Sequence, residues 1–213
     1  MAAHTETETY AGEAGIIDCA LDWPEGEPSG WALVLHPHPL HGGARGNKVV
    51  TTIARACVAQ GLLAVRPDFR GVGQSEGEFD RARGETGDML ALVEQFVQRH
   101  PGPAAGRWVL AGFSFGTAVA AQLYASLAEA GARVPDHLLL AGTAVGRFQF
   151  RPVHLPAHAL LVHGEQDDVV PLQEARDWAA DQPVDIKVIP EASHFFHGKL
   201  IDLRDLVTAR ITQ

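Results

Sequence analysis

The sequence predicts an α/β domain with a mostly parallel central sheet and helices on both faces. Short apolar runs alternate with longer amphipathic segments along the chain, the pattern of strand–helix repeats. The apolar runs, such as WALVL and HLLLA, are continuous rather than alternating, as strands buried on both faces must be. The length, 213 residues with 46% hydrophobic and 20% charged, suits one domain with a sizeable core. Residues 1–213 are therefore read as a single domain.

Each element has a local reason. Residues 1–13, MAAHTETETYAGE, are polar and rich in Thr and Glu, and are expected to be frayed. Gly15–Leu21 and Trp31–Leu35 read as strands, joined by the Pro- and Gly-rich turn DWPEGEPSG. Lys48–Gln60 reads as a helix ended by Gly61, and Leu62–Val65 as a short buried strand. Glu85–His100 is a helix whose Met89, Leu92, Val93, Phe96 and Val97 fall on one face. Pro101 and Pro103 stop it. Trp108–Ala111 is a strand, and a helix from Phe115 to Ala130 follows almost without a loop, closed by Gly131. His137–Ala141, Ala159–His163 and Asp185–Ile189 are three further strands, with the segment Leu172–Ala180 between them and a last helix over Leu200–Ile211.

Composition narrows the function classes. The formal net charge is −9, and no Lys/Arg cluster could track a phosphate backbone, so no nucleic-acid partner is expected. No stretch approaches the roughly 20 apolar residues of a membrane span. The N-terminus lacks a basic region followed by an apolar run, so no secretory signal is read. Cys19 and Cys57 stand far apart among apolar neighbours and read as free thiols in a reducing cytoplasm.

In parallel sheets, ligands sit beyond the carboxyl ends of the strands, so the chemistry is sought there. After Trp108–Ala111 comes GFSFG, a G-x-S-x-G between strand and helix with no spare residues. So tight a turn strains its central residue and pushes the Ser114 hydroxyl into the cleft. The Phe115 amide, at the helix N-terminus, is left to donate to an anion. A serine needs a base, and the base an orienting acid. GEQDDVVP after the Ala159–His163 strand offers Glu165, Asp167 and Asp168, and PEASHFFHGKL after the last strand offers His194 and His197. The order Ser, acid, His is satisfied.

With LHPHPLHGG, PDFRGVGQSEG, AGFSFG, HGEQDDVVP and SHFFHGKL in this order, the chain resembles the α/β-hydrolases, within them the small cap-less, dienelactone-hydrolase-like group. The resemblance covers about residues 31–203. It implies Asp167 as the acid, three residues after Gly164, and His194, before two aromatics, as the base. His197 then either supports the site residues from behind or is structural. It also implies an oxyanion hole of backbone amides, one from Phe115 and one from the loop after Trp31–Leu35. Pro37 and Pro39 have no N–H to give, which leaves His38, with Leu40 as the alternative.

LHPHPLHGG permits another reading. His36, His38 and His41 form H-x-H-x-x-H, similar to the H-x-H-x-D-H of metallo-β-lactamase-like hydrolases. The acidic position is Leu40, however, and two prolines stiffen the loop. The preferred reading is a backbone role with no metal or cofactor, Gly42 and Gly43 giving room beside substrate. RGVGQSEG lacks the third Gly of a dinucleotide fingerprint, carrying Glu76 there. Asp68 and Arg70 are read as structural, Glu85 and Asp88 as carboxylates favoured at a helix start. Leu40, Phe113 and Phe195 are candidates for the substrate pocket.

The expectation is a serine esterase acting on a small-molecule acyl substrate through an acyl-enzyme on Ser114. A short connection from Ala141 to Ala159 leaves no room for a large lid. The alternatives are a non-catalytic binding protein on a hydrolase scaffold and a metallohydrolase using His36, His38 and His41.

Overall fold

The computed structural model describes residues 2–213. Eight strands form one sheet: β1 (His4–Gly12), β2 (Gly15–Trp23), β3 (Gly30–Leu35), β4 (Leu62–Pro67), β5 (Arg107–Phe113), β6 (His137–Ala141), β7 (Leu160–Gly164) and β8 (Ile186–Ile189). Their order is β1-β2-β4-β3-β5-β6-β7-β8. β2 is antiparallel to both β1 and β4, and every pairing from β4 to β8 is parallel. The helices are α1 (Lys48–Ala59), α2 (Arg83–Arg99), α3 (Pro101–Ala105), α4 (Phe115–Glu129), α5 (Val145–Phe148), α6 (Leu172–Ala179) and α7 (Leu200–Ile211). Among the described residues, no helix is long and apolar enough to cross a membrane.

The continuous apolar runs divide between two cores. In β3, Trp31, Leu33 and Leu35 point to one face, against α2 and α4, while Ala32 and Val34 point to the other, against α1. The two-residue period of a strand sorts them. Helices on opposite faces also create the crevice. β3 and β5 are neighbours, with Leu35 opposite Gly112. α1, which follows β3, and α4, which follows β5, leave on opposite sides of the sheet. The loops at these two strand ends therefore diverge, as at the switch point of any doubly wound sheet.

The structure departs from the sequence expectations in four places. Of the segment expected to be frayed, residues 1–13, Met1 lies outside the described residues, and most of the rest is β1, paired with β2 from His4 opposite Trp23 to Gly12 opposite Gly15. Its one deeply buried side chain is Tyr10, under the Arg99 guanidinium, 4.6 Å from the ring centroid. Gln95 of α2 bonds both the N–H and the carbonyl of Ala11, at 3.1 and 2.7 Å, which covers part of an otherwise open edge. Strand β5 runs on to Phe113, α6 fills the unassigned Leu172–Ala180 segment, and the short helices α3 and α5 were not expected.

Asp68 and Arg70, expected to be structural, hold loops and helices together by hydrogen bonds. Asp68 accepts from the Arg45 backbone at 2.8 Å, and Arg70 reaches Asp88 at 2.8 Å and the Gly84 carbonyl at 2.9 Å. Glu85 and Asp88 do more than face a helix dipole. Glu85 is fully buried and accepts from the Asp80 N–H, while Asp88 pairs with Arg70 and accepts from the Glu13 N–H at 2.9 Å.

Candidate active site

Ser114 is the single residue between β5 and α4. Its φ of 54° and ψ of −120° lie in a region that side chains rarely adopt, which costs on the order of 1–3 kcal/mol. The two flanking glycines are required by closeness. A Cβ on Gly112 would stand 2.2 Å from the Gly116 carbonyl oxygen, and one on Gly116 2.5 Å from that of Leu35. Hydrogen bonds fix the turn on both sides. The Ser114 N–H donates to the Ala141 carbonyl at 2.9 Å, and the Ser114 carbonyl accepts from the Thr117 N–H at 2.8 Å and its hydroxyl at 2.6 Å.

Two other strand ends converge on this hydroxyl. His194, in the loop after β8, holds Nε2 2.9 Å from Ser114 Oγ and Nδ1 2.7 Å from Asp167 Oδ2. With Nδ1–H donating to the carboxylate, Nε2 is left to accept the serine proton. The imidazole packs on Phe113, with centroids 5.0 Å apart, and beside Gly142, where a Cβ would come within 3.2 Å of its Cε1. Asp167, in the loop after β7, accepts at Oδ1 from the N–H groups of Val169 (3.0 Å) and Val170 (2.7 Å). Burial alone would raise its pKa. Hydrogen bonds from His163 and His194, the charge of His194 and the Val170 N–H outweigh burial and hold the carboxyl well below the usual range. Asp168 is exposed. His197 is also exposed, its ring tilted 36° to that of Phe195 with centroids 6.0 Å apart.

The amides expected to bind an oxyanion lie at the start of α4 and in the loop after β3. Phe115 opens α4, so its N–H has no acceptor within the helix. The two amides considered for the second donor differ. The Leu40 N–H is bonded to His38 Nδ1 at 3.2 Å, while the His38 carbonyl, not its N–H, serves the loop, accepting from His41 and Gly43. The Leu40 N–H is thus engaged within the loop. Gly42 (φ +79°) faces open space, but Gly43 packs tightly, and a Cβ there would meet the Pro37 carbonyl oxygen at 2.1 Å.

The three histidines do not converge on a point. His36 is fully buried with both nitrogens engaged: Nδ1–H donates to the Pro37 carbonyl at 2.6 Å, and Nε2 accepts from the Phe69 N–H at 2.9 Å. Burial pulls its pKa from 6.5 to about 4. The His38 and His41 rings stack, with centroids 4.4 Å apart and planes 17° from parallel. Parallel rings cannot aim their in-plane lone pairs at one ion about 2 Å away. No group of three His, Cys, Asp or Glu side chains among the described residues could hold a metal ion.

Of the pocket candidates, Leu40 (69% exposed) and Phe195 (39%) lie at the surface, whereas Phe113 is fully buried. Phe113 supports the His194 ring and does not reach solvent. Two rings that the sequence reading missed stand beside the His38 loop. Phe79 and Phe148 lie 4.7 and 5.5 Å from the His38 ring and 5.3 and 4.9 Å from that of Phe115. Both are half-buried, on segments whose approach to the site depends on the fold. Also missed was His163, at the HG pair four residues before Asp167.

Comparison with known proteins places this geometry among relatives. The family described as serine aminopeptidase, S33 (Hydrolase_4) matches residues 38–153. XC6422 from Xanthomonas campestris, an α/β serine hydrolase without lid, is 35% identical with a TM-score of 0.87, over 100% of this chain and 95% of that one. An α/β serine hydrolase homologue from Coxiella burnetii is 36% identical with a TM-score of 0.82, over 96% of each chain. The uncharacterized protein RP471 of Rickettsia prowazekii (strain Madrid E) is 33% identical over 181 residues, 79% of this chain and 72% of its own length.

Proposed function

The chain belongs to the serine aminopeptidase S33 (Hydrolase_4) family of α/β serine hydrolases, and on that premise we propose that it cleaves small acyl esters through an acyl-enzyme on Ser114. The observation that carries the reading is the continuous hydrogen-bonded line Ser114 Oγ–His194–Asp167, 2.9 and 2.7 Å long, at a strained turn. Ser114 attacks the carbonyl carbon as His194 Nε2 takes its proton. Asp167 stays ionised and steadies the imidazolium. The Phe115 and His38 amides stabilise the oxyanion. His194 then protonates the leaving alcohol, and water repeats the sequence to free the acid.

Esters are favoured by an open site. The segment between β6 and β7, where a lid would stand, is short, and its helix α5 has only four residues. The exposed Leu40 and Phe195 and the half-buried Phe79 and Phe148 offer apolar surface to an acyl group. Two buried free thiols, Cys19 and Cys57, fit a reducing compartment, and we assign the protein to the cytoplasm. The test is hydrolysis of p-nitrophenyl acetate and butyrate by wild type and Ser114→Ala. Turnover lost by at least ~1,000-fold in a folded variant supports the reading. Equal turnover in the two proteins ends it.

A further inference from the structure

We propose that His163 is a positioning residue for the triad: it holds the Asp167 carboxylate in the orientation that faces His194 and gives Oδ2 a second hydrogen. The inference rests on the reading of Ser114, His194 and Asp167 above.

His163 lies near the end of β7 and is fully buried. Its Nε2 stands 2.8 Å from the Val170 carbonyl oxygen and 3.2 Å from Asp167 Oδ2. Both neighbours are acceptors, so Nε2 carries the hydrogen and shares it between them. Nδ1 is buried without a partner. An unsatisfied buried acceptor costs on the order of 1–3 kcal/mol, a cost that a leucine here would not carry. The polar ring is therefore explained by what Nε2 touches.

Those contacts close a small circuit. The Val170 N–H donates to Asp167 Oδ1, while the Val170 carbonyl accepts from His163. Oδ1 thus has two backbone donors and Oδ2 two imidazoles, His194 at 2.7 Å and His163 at 3.2 Å. Rotation of the carboxylate breaks all four contacts at once. Two more charges bear on the carboxylate from neighbouring helices: Arg147 of α5 and Glu174 of α6, paired with each other at 2.6 Å. When the Ser114 proton moves to His194 Nε2, His163 keeps its own proton and Asp167 its charge.

The test compares wild type, His163→Leu and His163→Gln by the rate at which a fluorophosphonate labels Ser114, measured against pH. Leucine removes the donor. Glutamine returns an N–H at similar reach. For His163→Leu the rate is expected to fall on the order of 10- to 100-fold. The acid limb should move to higher pH, because Oδ2 then turns more of its charge on His194. His163→Gln should recover most of the rate and the original limb. If His163→Leu does not fold, His163→Asn, too short to reach Asp167, replaces it in the comparison. A folded donor-less variant with the wild-type rate, or a slower one with an unmoved limb, overturns the proposal. An unlabelled wild type overturns the triad reading instead.

Discussion

Single residues carry the sharpest consequences. Asp167 has four hydrogen-bond contacts and Asp168 is exposed. Asp167→Asn is expected to lower kcat by at least ~1,000-fold through the wrong imidazole tautomer. Asp168→Asn should stay within about threefold, a surface change of the kind that leaves stability and geometry alone. Steady-state ester hydrolysis by the two variants checks the assignment. His41→Ala, which removes an exposed ring stacked on His38, should likewise be mild in the same assay. His36 predicts a pH dependence of stability. Its folded pKa is depressed from 6.5 to about 4, so the unfolded chain binds its proton first. The contribution is complete above pH 6.5 and is lost as pH falls toward 4, amounting to about 3 kcal/mol. Urea unfolding at pH 7 and pH 4.5 should show this loss in wild type and a smaller one in His36→Gln.

Elements decide how much of this could be read in advance. The triad was legible because each member follows a strongly apolar strand, and strand ends can be counted from the sequence. The bounds of α1, α4, β6 and α7 follow from periodicity and from Gly or Pro stops. β1 was missed because its alternation pairs Thr with Glu and offers almost no apolar face. The two-residue period of β-branched Thr was the available signal. Tyr10 anchors this strand. Tyr10→Ala is expected to cost about 3 kcal/mol, against under about 0.5 kcal/mol for the exposed Thr7→Ala, read as shifts in denaturant midpoint. Phe79 and Phe148 were illegible for a different reason. Both sit on loops or a one-turn helix, and only the closed fold sets them beside His38 and Phe115.

At the scale of the molecule, function follows from topology. Ser114, His194, Asp167 and His38 are 156 positions apart at most in the sequence (194 − 38), yet all four follow carboxyl ends of parallel strands in one sheet. β3 and β5 set the His38 loop beside the serine turn, and β7 and β8 carry Asp167 and His194 at their ends. The sheet order that achieves this was not legible, since register and neighbour choice are settled by packing against both helical layers. The fold class was, because strands buried on both faces admit few alternatives. The most direct measurement is fluorophosphonate labelling of the folded protein, with the adduct mapped by mass spectrometry beside Ser114→Ala. A single adduct on Ser114, absent from the variant, is the predicted result. Folded wild-type protein that takes up no label, or takes it up at another residue, would contradict an activated serine at this turn.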